Sequence, residues 1–319
     1  MALGNPDRPV GGLAVPRPTG VEIRPLGRDD FADAIALARE LYVLDADVPL
    51  EPVHPGYDAL VNDPDATPFL ALADGEAAGL IVQRFRRRLN HATFEGWISD
   101  LVVRERFRGR GIGRALLASA IAEWRLRGGH QMMLEVSYDR TAARAMYESA
   151  GFENQGKYFE IGPVKSRGIS ADAAEVRPIT QDDADFEATT RLLAELGRPA
   201  PAEDRLPALR RTYDEHVRRA DTGSMLALVD GRPVGFISLE MRQPFFTARP
   251  QGWIPDLVVT ESARRRKVGA ALLDAAFAEA VRRGCYAAAL ESGHHRTVAH
   301  QLYLAAGMSD VGSFYTLQR

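Results

Sequence analysis

The chain has 319 residues, 45% of them hydrophobic and 26% charged, with a formal net charge of -3 and one cysteine, Cys285. That balance offers no electrostatic case for nucleic-acid or membrane-surface binding, and a lone cysteine excludes a disulfide framework and a cysteine-based metal cluster. No apolar run approaches the ~18 residues that span a bilayer and no basic-then-apolar leader opens the chain, so the cytoplasm is the expected location; at this length two domains are expected.

Residues 1–20, rich in glycine and proline, are expected to form a disordered tail. Val21 to Arg24 read as a short strand, and Asp29-Asp30 can cap the helix carrying Phe31, Ile35, Leu37, Ala38 and Leu41. From Leu44 to Pro68 the chain is proline-, aspartate- and glycine-rich and reads as loop or short irregular helix. Phe69 to Ala73 and Ala77 to Phe85 are two strands joined by the Asp74-Gly75 turn.

The stretch Trp97 to Trp124 follows. Its β-branched run Ile98 to Val103 reads as a strand, a charged loop comes next, and Gly109-Arg110-Gly111-Ile112-Gly113 opens a helix. Ile112, Leu116, Leu117, Ala120, Ile121 and Trp124 fall on one face of that helix at 3.6-residue spacing. A glycine turn at a helix N-terminus leaves amides aimed at an anion, and the helix dipole adds about half a positive charge. Arg108, Arg110 and Arg114 add more, so the turn suits a phosphate or pyrophosphate; a tight turn that only packs helix on sheet is the structural alternative. Gly128-Gly129 end the helix, Met132 to Val136 is a buried strand, Thr141 to Ser149 a short helix, and Phe152 to Ile161 holds one or more closing strands.

The pattern then returns. From Asp74 onward a constant offset of 156 carries Asp74-Gly75 to Asp230-Gly231, Trp97 to Trp253, Tyr147 to Tyr303 and Gly151 to Gly307. Between Trp97–Leu117 and Trp253–Leu273, 13 of 21 positions are identical, which indicates two copies of one domain. The expected organisation is a first domain over 21–161, a linker over 162–173 and a second domain over 174–319.

The order strand, Arg108-x-x-Gly111-x-Gly113, helix, strand, then Ala143-x-x-Met146-Tyr147 with Gly151-Phe152 resembles the GCN5-related N-acetyltransferases (GNAT), whose acetyl-CoA motif is Q/R-x-x-G-x-G/A. The likeness covers nearly everything from Val21 to Arg319. It implies an α/β fold of two tandem acyl-CoA N-acyltransferase domains. Each would be a mixed, mostly antiparallel twisted sheet with a splayed central strand pair flanked by helices. Acetyl-CoA is the implied co-substrate, with no metal. Amides from Gly109 through Ile112 to Arg114 would hold its pyrophosphate, and main-chain groups of Leu101, Val102 and Val103 its pantetheine arm; Arg140 is a further candidate for a phosphate. An amide at the strand end can also polarise the thioester carbonyl.

The resemblance makes Tyr147 the general acid for the leaving thiolate, and Tyr303 its counterpart. A phenol suits that task because its pKa lies slightly above a thiol's. The amine must lose a proton, and Asp100 interrupts an apolar strand, where a charge needs a reason. Asp100 is the candidate base, repeated at Asp256, with Glu95 and Glu135 as second choices; a structural ion pair is the alternative. Asp45, Asp47 and Glu51 lie in the loop where the family forms its acceptor pocket. Arg84, Arg86, Arg87 and Arg88 read as a solvated basic face, or one that meets an anionic acceptor or another protein. His294, His295 and His300 lack the spacing of metal ligands.

In the second copy Arg265 and Lys267 stand where Gly109 and Gly111 stand, and Met308 replaces Phe152. Val258, Val259, Arg264, Val268 and Gly269 are its candidate cofactor contacts, and the first copy is expected to be the better site. The leading expectation is acetyl transfer to a primary amine of a small molecule by direct attack on the thioester. A peptide or protein N-acetyltransferase and a non-catalytic acyl-CoA-binding scaffold are the alternatives. The tandem would be a pseudo-dimeric monomer, or would form a homodimer.

Overall fold

The structure, a computed structural model, describes residues 18–42, 53–89, 93–169, 174–196 and 203–319. Asp45, Asp47, Glu51 and residues 1–17 of the expected tail lie outside the described residues. The first half runs β1 (Val21–Pro25), α1 (Phe31–Tyr42), α2 (His54–Asn62), β2 (Phe69–Ala73), β3 (Glu76–Arg86), β4 (Glu95–Val103), α3 (Ile112–Arg127), β5 (Gln131–Ser137), α4 (Thr141–Ser149) and β6 (Glu153–Ile161). The second runs β7 (Glu175–Pro178), α5 (Asp183–Glu195), α6 (Leu206–Arg218), β8 (Met225–Val229), β9 (Arg232–Ile237), β10 (Glu240–Arg242), β11 (Gln251–Trp253), β12 (Leu257–Val259), α7 (Val268–Arg282), β13 (Ala287–Gly293), α8 (Thr297–Ala305) and β14 (Ser309–Gln318). Apolar alternation and helical spacing account for most of these elements; α2 is a regular helix in the stretch expected to be irregular.

Strands β1 to β5 lie side by side, antiparallel except for β4 and β5. The parallel pair is joined only from Glu95↔Gln131 to Ile98↔Leu134, so β4 leaves β5 beyond Ile98. A register shift against β3, between Ile98 and Asp100, places a bulge at Ser99. This is the splayed pair that the resemblance implies. The second half reaches the same splay by breaking the strand: Pro255 stands where Ser99 does, β11 pairs with β13, and β12 joins a separate sheet with β9, β8 and β7. Proline has no N–H for a ladder, which explains the break.

The halves exchange their closing strands. β14, the end of the second half, pairs antiparallel with β5 of the first; β6 of the first pairs antiparallel with β13 of the second, and β6 and β14 pair with each other. One ten-stranded sheet therefore crosses the molecule, in the order β1-β2-β3-β4-β5-β14-β6-β13-β11-β10. The cores follow the same exchange. Tyr315 is fully buried among Tyr147, Phe152 and Leu116 of the first half, and Phe159 among Tyr303, Met308 and Leu272 of the second. The segment after β6 is anchored too: the amides of Arg167 and Ile169 and the hydroxyl of Ser166 donate to the buried carboxylate of Asp274 on α7.

A second reciprocity lies in the loops after β3 and β10. Leu89 is buried in the second half's core beside Leu192, Tyr213 and Phe236, and Phe245, 156 residues later, is buried in the first half's core beside Leu37, Tyr57 and Leu60. Truncating such a knob leaves a cavity in the opposite half. Phe245→Ala is expected to cost about 3–5 kcal/mol and Leu89→Ala about 2–5. Urea unfolding checks this; a midpoint equal to wild type for either variant would contradict the interlock.

Candidate active site

Helix α3 begins at a left-handed turn. Gly109 has φ 77° and Gly111 φ 79°, conformations that cost an L-residue about 1–2 kcal/mol. The first helical bond runs from the Ala115 amide to the Gly111 carbonyl, and among the described residues no backbone acceptor takes the amides of residues 109–114. These are the groups that can meet a pyrophosphate. Gly113 allows close packing: a β-carbon there would lie 3.2 Å from Met146 Sδ and 3.6 Å from Val103 Cγ2. The second half keeps the same backbone without the glycines, with Arg265 and Lys267 both at φ 61° and Gly269 equally close to Leu302 and Val259. Its turn is therefore preserved at the expense of two strained residues, with bulky side chains at its mouth.

Arginines around the turn have structural bonds. Arg108 Nε donates to the Val103 carbonyl at 3.1 Å and Arg264 Nε to that of Val259 at 3.4 Å, tying each loop to the end of its central strand. Arg110 pairs with Asp74 of the β2–β3 turn at 2.7 Å, and Arg114 lies exposed on the first turn of α3. Arg140 donates to the Leu41 carbonyl at 2.8 Å, and its counterpart Arg296 does the same to Leu196 at 3.0 Å. Both arginines hold the C-terminal end of a helix, so their recurrence in the repeat has a structural explanation.

Leu101, Val102 and Val103 are paired with β3 on one side and face the gap left by β5 on the other. That open edge is the slot a pantetheine chain would follow, and Val258 and Val259 of β12 pair with β9 in the same way. Val268 is buried beneath the second turn.

Asp100 stands at the bulge and is 6% exposed. It accepts the Tyr42 hydroxyl at 2.6 Å and the Ser99 hydroxyl at 2.5 Å. Burial raises its pKa above the ordinary carboxyl value; the two hydrogen bonds and the charge of Arg84 pull it partly back. Tyr147 is buried on α4 against Phe152, with ring centroids 6.0 Å apart, and its hydroxyl has no hydrogen-bond partner among the described residues. Burial, then the Asp100 charge, raises its pKa, and Arg140 opposes them. The structure thus brings the two candidate catalytic groups into one electrostatic neighbourhood, at the splay. In the second half Asp256 is buried and accepts the Ser238 hydroxyl at 3.1 Å, and Tyr303 is buried against Phe159.

The two second-choice bases stand differently. Glu95 is fully buried and held by Arg86, Arg88 and Gln131, and these cations keep it well below the usual carboxylate range despite its burial. It is a structural anion. Glu135 accepts the Trp97 indole at 2.6 Å and pairs with Arg242 at 3.3 Å, and burial beside Glu291 raises its pKa. Arg86 and Arg242, Trp97 and Trp253, Glu135 and Glu291 are counterparts in the repeat and meet at the seam between the halves. The Arg242 guanidinium lies between the two indoles, 3.8 Å from the Trp97 ring centre and 3.4 Å from that of Trp253. The basic cluster is therefore not a solvated face: Arg86 and Arg88 clamp Glu95, Arg84 pairs with Asp63, and Arg87 lies over Phe94.

Beside this seam a chamber of about 1020 Å³ opens, and Asp100 and Tyr42 line it together with Tyr158, Glu160, Glu240, Phe246 and Tyr286. Asp256 does not line it. Of these residues sequence reasoning found only Asp100; the others belong to loops and to the exchanged strand, and no local pattern marks them. Among the described residues no group of three or more His, Cys, Asp or Glu comes together as metal ligands, and no helix is long and apolar enough to cross a membrane.

The profile of the acetyltransferase (GNAT) family matches residues 34–152 and again 189–308. The chain is 33% identical over 132 residues to an aminoalkylphosphonate N-acetyltransferase of Salmonella typhimurium, covering 41% of this chain and 84% of that protein. It is 33% identical over 138 residues to an aminoglycoside N(6')-acetyltransferase of Stenotrophomonas maltophilia, covering 41% of this chain and 88% of that protein. A tandem GNAT protein from the clavulanic acid biosynthesis pathway shares the fold, with TM-score 0.58 at 18% identity over 93% of this chain and 98% of that one.

Proposed function

The chain belongs to the acetyltransferase (GNAT) family, and from that premise we propose that its first half transfers an acetyl group from acetyl-CoA to a primary amine of a small molecule. The observation that carries this reading is the convergence of Asp100, Tyr147 and the open edge of β4 at one splay, next to the inter-half chamber. The amides at Gly109–Arg114 and the open edge of Leu101–Val103 fit the pyrophosphate and pantetheine of acetyl-CoA, which supplies the activated acyl group. Asp100, directly or through water, accepts the proton of the incoming ammonium. The amine nitrogen forms the new C–N bond as the C–S bond breaks, the Tyr147 hydroxyl protonates the departing sulfur, and the proton that the nitrogen sheds as the amide forms returns to the Tyr147 oxygen directly or through water. The first half is the better cofactor site on this reading, because Gly109 and Gly111 adopt the turn without strain whereas Arg265 and Lys267 crowd it.

The charge of the chamber narrows the acceptor. Of the lining arginines, Arg84, Arg86, Arg219 and Arg242 are engaged by Asp63, Glu95, Asp221 and Glu135 and Arg87 lies over Phe94, while Asp100, Glu160 and Glu240 have no ion-pair partner among the described residues. Burial raises the pKa of all three, outweighing the charge of Arg84 at Asp100 and those of Arg219, Arg86 and Arg88 at Glu240, so a cation seated among them would be favoured. Of the acceptors carried in the relatives' names, this favours amines with several positive charges, the aminoglycoside type, over aminoalkylphosphonates. A panel of amines assayed by release of free CoA thiol tests it. Polyamines and aminoglycosides are expected to give kcat/KM at least about tenfold above aminoalkylphosphonates, the worth of one partly buried charge contact. The reverse order would refute the charge argument, and no turnover with any amine would refute acetyl transfer to small amines.

A further inference from the structure

We propose that the second half supplies a specificity-determining residue to the first half's acceptor site: Phe246, which packs on Tyr42 and through it sets the Asp100 carboxylate. The inference rests on the acetyl-transfer reading above and adds a role for the second half that does not depend on its binding cofactor.

The chain of contacts is short. Phe245 is buried in the first half's core, which pins the loop between β10 and β11 against α1 and α2. The fit is close: a β-carbon on Gly56 of α2 would lie 3.5 Å from the Pro244 carbonyl and 3.7 Å from Phe245. Arg84 adds a bond of 3.4 Å to the Gln243 carbonyl. Phe246 is thereby presented to the last residue of α1. Its ring stacks on Tyr42 with centroids 3.9 Å apart and planes 24° apart. The Tyr42 hydroxyl donates to Asp100 at 2.6 Å. Tyr42 is 40% exposed, and both rings line the chamber into which Asp100 opens. The Tyr42 phenol is fixed at one end by Asp100, and among the described residues the ring contact at its other end is the stack on Phe246. An ammonium arriving at Asp100 passes between aromatic faces and a carboxylate, both of which attract it.

The repeat shows that this pair is particular to one site. Leu196, whose carbonyl takes Arg296 as Leu41 takes Arg140, is followed by Gly197 where Leu41 is followed by Tyr42. At the offset of 156, Phe246 corresponds to Asn90. The sequence therefore provides the tyrosine and the phenylalanine for the Asp100 site and neither for the Asp256 site. The second half, strained at its own phosphate turn, acts on the first as part of the acceptor wall.

The test uses the full-length protein with its best amine from the panel. Phe246→Ala is expected to raise KM for the amine about tenfold, the value of one aromatic contact, and to leave KM for acetyl-CoA within about twofold. With Tyr42 loosened, its hydrogen bond to Asp100 weakens, and the acid limb of the kcat/KM–pH profile is expected to move to higher pH. Phe246→Tyr keeps the ring and is expected to restore both values. If Phe246→Ala unfolds, Phe246→Leu serves in its place, keeping apolar bulk without a stacking face. An unchanged amine KM together with an unchanged acid limb overturns the proposal, as does a rise in both KM values that Phe246→Tyr does not restore. Absence of turnover in the wild-type protein would instead refute the acetyl-transfer reading itself.

Discussion

Tyr147→Phe is expected to lower kcat by about 10²–10³-fold, the usual share of a positioned proton donor, with acetyl-CoA affinity within about twofold of wild type. The substitution removes one oxygen and keeps the ring against Phe152 and Tyr315, so the packing of α4 on the exchanged strand survives. The hydroxyl has no partner among the described residues, so no buried group is orphaned by its loss. Burial and the Asp100 charge push its pKa above that of an ordinary phenol, so the group stays protonated, and able to donate, across the whole working range of pH. The deficit is therefore expected to be flat between about pH 6 and pH 9, since an unperturbed phenol already titrates only near 10. Steady-state kinetics by thiol release decide this, and a kcat within threefold of wild type would remove Tyr147 from the chemistry. The corresponding change at Tyr303 is expected to leave turnover at the first site intact.

Asp100→Asn is expected to lower kcat/KM for the amine by about 10²–10³-fold and, unusually for a buried substitution, to raise thermal stability at pH 7. The sign follows from linkage. Burial raises the carboxyl pKa in the folded state above its unfolded value. The group therefore contributes its full stability below the unfolded value, near 3.9, and that contribution is lost as pH rises through the folded one. At neutral pH the carboxylate is a net cost that asparagine does not carry; its one carbonyl oxygen can still accept from Tyr42, while the Ser99 hydroxyl turns to accept from the amide NH2. The stability advantage of the variant is expected to shrink as pH falls toward 4. Paired thermal melts at pH 7 and pH 4.5 measure it. An Asn variant that is inactive and less stable at pH 7 than wild type would mean that Asp100 is chiefly a structural anion.

Much of the first half could be read from residues alone, and the reasons are local. The run Ile98 to Val103, the glycines at 109, 111 and 113 and the helical spacing from Ile112 to Trp124 each report on their own backbone. The strand, turn and helix stand where those signals put them. Asp100 was legible because a charge in an apolar strand is conspicuous. Glu135 and Arg86 were legible too, as a second-choice base and part of a basic face, but their place at the seam was not, because it depends on how the halves dock; the repeat supplies the counterparts Glu291 and Arg242 but not the fact that all four meet. Phe159 and Tyr315 illustrate the same limit. Each reads as an ordinary inward residue of a closing strand, and nothing near it in sequence says that it closes the other half's core. Pro255 was the one overlooked local signal: standing where Ser99 does, it foretells a broken strand where the first half has a bulge.

The strand exchange sets a schedule for synthesis. The partner of β5 is β14, whose first residue, Ser309, leaves the ribosome 172 residues after Ser137. At about 5–20 residues per second that interval is roughly 10–30 s. Throughout it the first half presents an unpaired sheet edge, with the place that Tyr315 fills still vacant. β6 is already available, but its register belongs beside β13 and β14, neither yet made. The nascent first half is thus committed to waiting for the ten-residue strand β14, and what protects that edge in the interval bears on yield as much as the stability of the finished fold does.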